Sequence, residues 1–203
     1  MLEYVVNHLY NQGITDLVFC VSNVGSTEQF THYFGDGSRF GITVRYSVGA
    51  QELKTAGRIL QAHEQGLVDG DFIVYYGDIL TNLDLKDVYE FHLKKPGIGT
   101  IVFSPTLQIT SGIAILDNNS QIRQITEKPL LPHKTNIGIY VLKEKILKYI
   151  EPDSDFFFDT FPQVIEKKEK LYGYVSDCKW LDIGSFQNLQ TAEEFVMENF
   201  RRK

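Results

Sequence analysis

The run Asp71-Phe72-Ile73-Val74-Tyr75-Tyr76-Gly77-Asp78-Ile79-Leu80 sets a carboxylate behind five apolar or aromatic residues and a glycine. Five such residues in succession, after the turn Val68-Asp69-Gly70-Asp71, predict a strand buried on both faces. Ligands of open α/β sheets collect beyond the carboxyl ends of strands, so Asp78 is a candidate ligand for a hard metal ion. Gly77 would let backbone or phosphate come close. Asp78 could equally cap the turn that follows, and the run alone does not separate the two readings.

The elements that must position this acid follow from periodicity and punctuation. Residues 1–12 read as a helix with Leu2, Val5, Val6 and Leu9 on one face and Gly13 past its end. A short strand is expected at Leu17–Val21, then loop and cap at Ser22-Asn23-Val24-Gly25-Ser26, and a helix near 27–34. Turn chemistry at Gly35-Asp36-Gly37-Ser38 leads to a strand at Ile42–Val48, a helix at Thr55–Glu64 and the central strand containing Asp78. Alternating strands and helices predict a three-layer α/β sheet, mostly parallel. Helix Leu85–Lys95 and strand Thr100–Ser104 continue it. Asp117-Asn118-Asn119-Ser120 between Ile113–Leu116 and Ile122–Ile125 then predicts a hairpin, so the second half mixes in antiparallel strands. A strand at Asn136–Leu142, helices at Lys143–Ile150 and Phe156–Lys168, and strands at Leu171–Val175 and Lys179–Ile183 follow. A last helix from Phe186 carries the stripe Leu189, Ala192, Phe195, Val196 and Phe200, expected to pack on the core. No linker, repeat or low-complexity stretch divides the chain, so one domain is expected over 1–203.

Bulk properties narrow the function. With 203 residues, 43% of them hydrophobic and 23% charged, the chain is an ordinary globular domain. A net charge of −6 and no basic stripe with interleaved aromatics argue against nucleic acid as a partner. A phosphate ligand remains open, since it needs only a few local cations and aligned N–H groups. Cys20 and Cys178, in no metal-binding spacing, suit free thiols in a reducing cytoplasm. No apolar run approaches a membrane span, and no charged-then-apolar leader opens the chain. A cytoplasmic protein with no membrane partner is expected.

Four local patterns, in order, resemble the sugar-phosphate nucleotidyltransferase family. Tyr33-Phe34-Gly35-Asp36-Gly37-Ser38-Arg39-Phe40-Gly41-Ile42, running on into Leu53-Lys54-Thr55-Ala56-Gly57, is similar to the stretch leading through the family's nucleoside-contacting loop. Gly77-Asp78 resembles its metal-binding aspartate. Glu127-Lys128-Pro129 with Asn136-Ile137-Gly138-Ile139-Tyr140 resembles its sugar-phosphate pocket, and Trp180-Leu181-Asp182-Ile183-Gly184-Ser185 the segment of its second metal-binding aspartate. The resemblance implies a Rossmann-like transferase that joins a nucleoside triphosphate to a sugar 1-phosphate, releasing an NDP-sugar and pyrophosphate. It implies that Asp78 and Asp182, each ending a strand at the same sheet edge, hold Mg²⁺ and that Lys128 meets the sugar phosphate as a point charge. Glu127, Asn136 and Gly112 would face the sugar, while Thr55, Ala56 and Gly57 let a nucleobase approach the backbone. Each has a plainer reading: Asp182 as a helix cap, Lys128 and Glu127 as solvated charges, Asn136 as a turn residue, Gly112 as a strand start, Thr55–Gly57 as a helix N-terminus.

The pattern also departs from the family. Its first strand and the glycine-rich loop carrying an arginine and a lysine would lie ahead of Leu2, so an N-terminally incomplete core with impaired activity is expected. That strand normally sits near the middle of the sheet. Its absence predicts that two neighbouring strand edges either close on each other or leave a slot for something else. Lys54 stands where the family usually has glycine, and Gly49 and Ala50 replace polar residues. Two rival functions stay in view: a non-catalytic sugar-nucleotide-binding or regulatory subunit, and a metal-dependent glycosyltransferase. The latter usually carries an Asp-x-Asp pair, whereas Ile79-Leu80 follow Asp78 here. Homo- and hetero-oligomers are both left open.

Overall fold

The chain order is α1 (Leu2–Asn11), β1 (Asp16–Ser22), α2 (Thr27–Phe34), β2 (Thr43–Gly49), α3 (Thr55–Glu64), β3 (Phe72–Tyr75), β4 (Ile79–Thr81), α4 (Leu85–Leu93) and β5 (Gly99–Ser104). The second half adds β6 (Leu107–Gln108), β7 (Ile113–Leu116), β8 (Ile122–Thr126), β9 (Leu130–Leu131), β10 (Thr135–Leu142), α5 (Phe161–Glu166), β11 (Leu171–Val175), β12 (Trp180–Asp182) and α6 (Phe186–Asn199). This computed structural model describes residues 2–22, 27–50, 52–184 and 186–199. The loop and cap expected at 23–26 lie outside the described residues, as does Phe200.

Period-two alternation along β10 divides the core into two faces. Ile139 and Val141 point to one side, packing with Val5, Val6 and Leu9 of α1, Val88 of α4, and Ala192 and Val196 of α6. Tyr140 and Leu142 point to the other, with Ala56 of α3, Phe156, Phe161 and Val164. Helices therefore cover both faces of a central sheet, the three-layer α/β arrangement that the sequence predicts. The sheet runs β11-β5-β10-β3. β5 and β11 are parallel, while β10 runs against β3 and β5, so the sheet is mixed, and two of its three pairings are antiparallel where a mostly parallel sheet was expected. β1 and β2 form a separate parallel pair in full register from Asp16↔Thr43 to Ser22↔Gly49.

Several elements differ from their prediction. The central strand expected to contain Asp78 ends at Tyr75. Tyr76 N–H turns away to the Gly138 carbonyl (3.0 Å) and Ile79 N–H closes a turn on the Tyr76 carbonyl (3.0 Å). Ile79–Thr81 then pairs with β12 in a small antiparallel ribbon instead of continuing the main sheet. The helix expected at Lys143–Ile150 is a 3₁₀ segment, Glu144–Tyr149, closed by Ile146 N–H to the Lys143 carbonyl. The helix expected from Phe156 opens as a π turn at Phe156–Thr160, where Thr160 N–H reaches back to the Asp155 carbonyl. Pro162, with no N–H to give, follows inside α5.

β1 and β3 remain apart. Among the described residues β1 is paired only with β2, and β3 only with β10. Between them lies a cavity of about 580 Å³. No helix among the described residues is long and apolar enough to cross a membrane.

Candidate functional site

Asp78 sits in the turn between β3 and β4, and Asp182 is the last residue of β12. Antiparallel pairing sets Asp182 opposite Ile79, next to Asp78, although about a hundred residues of chain separate them. Ile183 N–H extends the ladder to the Asp78 carbonyl at 2.9 Å. The ribbon's far end is pinned by the Thr81 hydroxyl to the Lys179 carbonyl (2.7 Å) and by Lys179 N–H to the Asn82 side chain (2.9 Å). Backbone pairing, rather than long side chains, thus brings the two acids together. The expectation that both would end strands of one sheet edge is corrected in this detail: one begins a ribbon that the other ends.

Both carboxylates close on Gly184. A Cβ built there would stand 3.0 Å from Asp182 Oδ1 and 3.4 Å from Asp78 Oδ2, so the two oxygens are no farther apart than the sum of those distances. Gly184 N–H donates to Asp182 Oδ1 at 2.7 Å. Asp78 is exposed as a residue, yet the atoms packed around its carboxyl, and then the Asp182 charge, push its pKa above the ordinary value. Two like charges pressed together call for a cation. Among the described residues no third His, Cys, Asp or Glu completes a cluster. One or two carboxylates, with water and phosphate oxygens filling the remaining positions, are what Mg²⁺ commonly takes. The donor set therefore fits that ion, and Gly184 leaves the space a side chain would fill.

Beside the carboxylates runs a chain of hydroxyls that sequence reading did not find. Gly138, at φ 75° inside β10, breaks the register between Asn136 and Tyr140. Its N–H donates to Asn136 Oδ1 (3.0 Å), and Asn136 Nδ2 donates to the Tyr140 hydroxyl (2.9 Å). The Tyr140 hydroxyl lies 3.4 Å from that of Tyr76, which in turn hydrogen-bonds Thr55 and feels the charges of Asp155 and Asp78. Burial raises the pKa of both tyrosines, so they stay protonated. Asn136 is held from both ends, with one amide N–H left over. A side chain on Gly138 would enter the Tyr76 ring at 2.9 Å; the glycine between Ile137 and Ile139 was the available sequence signal.

Thr55, Ala56 and Gly57 open α3, and the segment 152–156 covers them. The Thr55 hydroxyl donates to Asp155 Oδ2 (2.6 Å) and accepts from Phe156 N–H (3.0 Å). Ala56 and Gly57 N–H both reach the Ser154 carbonyl at 3.1 Å. A Cβ on Gly57 would lie 1.8 Å from the Pro152 carbonyl oxygen. The close backbone approach expected for a nucleobase is thus made by the chain's own loop. Asp155, before three phenylalanines, is the cap that sequence reading missed.

Gly112 and Glu127 meet at the base of the β7–β8 hairpin, where a Cβ on Gly112 would stand 2.7 Å from Glu127 Oε2. Lys128 is exposed with φ 45°, and its carbonyl accepts Gln108 Nε2 at 2.7 Å. Its ammonium makes no hydrogen bond or ion pair with any described residue. Trp180 is partly buried against the α1 side of the core, as a packing residue.

Comparison with known proteins comes down on one side. A family model described as nucleotidyl transferase matches residues 1–199. A UTP–glucose-1-phosphate uridylyltransferase of Synechocystis sp. is 29% identical, the match covering 97% of this chain and 55% of that protein. A mannose-1-phosphate guanyltransferase of Saccharomyces cerevisiae is 27% identical, covering 100% and 58%. The chain spans about half the length of these curated relatives. Among solved structures, HddC from Yersinia pseudotuberculosis superimposes with a TM-score of 0.72 over 95% of this chain and 84% of that one. At 22% identity that likeness speaks for the fold alone.

Proposed function

Because the chain belongs to the nucleotidyl transferase family, we propose that it forms the core of a sugar-1-phosphate nucleotidyltransferase. In that reaction an oxygen of the sugar 1-phosphate bonds to the α-phosphorus of a nucleoside triphosphate. The bond from that phosphorus to the β-phosphate oxygen breaks, and pyrophosphate leaves. The observation that supports this reading best is the convergence of Asp78 and Asp182 over Gly184.

Both reactants are anions, so catalysis rests on positioning and on neutralising charge. Asp78 and Asp182 would hold Mg²⁺, which when bound supplies positive charge to the phosphate oxygens. Lys128 meets the sugar phosphate with an ammonium that has no competing partner in the described chain. Glu127 accepts from sugar hydroxyls, Gly112 keeps the backbone beside it bare, and Asn136 offers its remaining N–H. Thr55 belongs to this reading as an anchor for Asp155 and Tyr76 rather than as a base contact. Ala56 and Gly57 would serve the nucleoside only if the 152–156 loop shifts. With both cysteines free, we assign the protein to the reducing cytoplasm.

The test is calorimetric titration of the full chain with UDP-glucose and GDP-mannose, with and without Mg²⁺, beside a pyrophosphate-release assay using the four nucleoside triphosphates and hexose 1-phosphates. The expected result is Mg²⁺-dependent binding that Asp182→Asn removes. A folded chain that binds none of these ligands contradicts the proposal. Binding without pyrophosphate release selects the non-catalytic subunit.

A further inference from the structure

The hydroxyls that link Asn136 to Asp155 form a chain whose direction is fixed at both ends. At one end Gly138 N–H, which can only donate, reaches Asn136 Oδ1 at 3.0 Å. The amide nitrogen is thereby turned to the Tyr140 hydroxyl, to which it donates at 2.9 Å. At the other end the Asp155 carboxylate, which can only accept, takes the Thr55 hydroxyl proton at 2.6 Å. Each hydroxyl between these ends has one proton to give. Tyr140 accepts from Asn136, so its own proton goes on to Tyr76 at 3.4 Å. Thr55 gives its proton to Asp155, so towards Tyr76 it can only accept, and the Tyr76 proton closes the gap. Every donor from Asn136 to Thr55 therefore points towards Asp155.

The groups that carry this chain have little freedom beyond the direction of their protons. Tyr140 is fully buried, and its ring stands edge-on to those of Tyr76, Phe156 and Phe161 at 5.0–5.7 Å between centroids. The backbone of Asp155 is held by its N–H to Asp159 Oδ2 at 2.7 Å. Its Oδ1 accepts Phe157 and Phe158 N–H at 2.8 and 3.0 Å, while Oδ2 serves Thr55. Reversing any one hydroxyl would set donor against donor or lone pair against lone pair, at a cost that burial magnifies.

We propose that Asp155 is a positioning residue for Asn136, fixing through Thr55, Tyr76 and Tyr140 which way its amide faces. The remaining Asn136 N–H is then presented in one orientation, to an acceptor oxygen of the ligand. That the ligand is a sugar rests on the function proposed above; the positioning of the amide does not.

The full chain labelled with nitrogen-15 at asparagine reports the Asn136 side-chain amide by NMR, identified by the signal that Asn136→Asp removes. Tyr76→Phe takes one oxygen from the middle of the chain and touches neither end. It is expected to shift the Asn136 amide resonances and to weaken glucose 1-phosphate or mannose 1-phosphate about fivefold in calorimetry, the worth of one neutral hydrogen bond. Mg²⁺ affinity is expected to stay unchanged. In Asp155→Asn the Phe157 and Phe158 N–H groups claim the one remaining oxygen, so an NH₂ group faces Thr55 and the same resonances are expected to shift. In the Tyr76→Phe background Asp155→Asn is expected to add no further shift, because the chain is already cut. A merely structural role for Asp155 would give equal shifts in both backgrounds. Two results overturn the proposal: Asn136 resonances that Tyr76→Phe leaves in place in a folded chain, or an Asp155→Asn shift undiminished without the Tyr76 hydroxyl. A parent whose amide responds as expected but which binds no hexose 1-phosphate upholds the positioning and overturns the sugar reading alone.

Discussion

The two acids and the lysine that our proposal joins in one reaction are held in different ways. Asp78 and Asp182 are fixed by a backbone ladder, and their carboxylates meet over a glycine. Lys128 and Glu127 lie on the β6–β9 arm, where Ile115, Leu116, Ile122 and Ile125 are all more than half exposed. The arm is tied down by two short antiparallel pairs and by Gln108 reaching the Lys128 carbonyl. A metal site needs its ligands in place before the ion arrives. A phosphate-binding lysine tolerates a looser mount, because a flexible ammonium acts as a point charge over a range of positions.

The sharpest way to test that contrast is to add one methyl group on each side. Gly57→Ala, in the packed centre, drives Cβ into the Pro152 carbonyl at 1.8 Å, so backbone must move. It is expected to destabilise the fold by about 3 kcal/mol in urea denaturation. Gly112→Ala, in the arm, meets only the far end of the Glu127 side chain, which can swing away. It is expected to stay within about 0.5 kcal/mol of the parent. Equal losses would show that the arm is as rigid as the centre.

Next in size is a binding effect. Lys128→Ala is expected to weaken sugar 1-phosphate about tenfold by calorimetry, the worth of one charge-assisted contact, and to leave Mg²⁺ affinity unchanged. A parallel loss of metal affinity would mean that arm and corner form one rigid unit.

The smallest effect concerns pH. The folded-state pKa of Asp78 is raised by burial and by Asp182, so ionised Asp78 opposes folding. That penalty is present at neutral pH and fades as pH falls through the raised value towards the ordinary carboxylate range. Asp78→Asn should therefore raise Tm at pH 7 by about 1–2 °C, a shift kept small by solvent screening. The difference from the parent should vanish at low pH, as thermal melts across the acid range would record. Divalent-ion binding by the parent should weaken on acidification at a higher pH than an ordinary aspartate would dictate. A Tm decrease for Asp78→Asn at pH 7 would show that Asp78 serves chiefly as a structural cap.

Much of this architecture was legible from local pattern. The α1 face Leu2, Val5, Val6 and Leu9 packs on the core as its spacing predicts, and Ala192 and Val196 of the last helix are buried. The Asp117–Ser120 hairpin forms where its turn residues are. What escaped was lateral. Nothing within Asp71–Leu80 shows that Tyr76 will give its N–H to Gly138, about sixty residues on, so the break after Tyr75 was invisible. Thr55-Ala56-Gly57 reads as an open helix start until Ser154 and Asp155 arrive from a hundred residues away. At the candidate site the acids stand next to each other, but their partnership comes from β4 pairing with β12, a register that no residue in either strand announces by itself.

The account rests on Asp78 and Asp182 acting as one site for one divalent ion. Mn²⁺ titration followed by electron paramagnetic resonance, on the parent, Asp78→Asn, Asp182→Asn and the double variant, reads this directly. One ion per chain is expected in the parent, with affinity at least tenfold lower in each single variant and no comparable further loss in the double. Full affinity in either single variant, or losses that simply add, would contradict it.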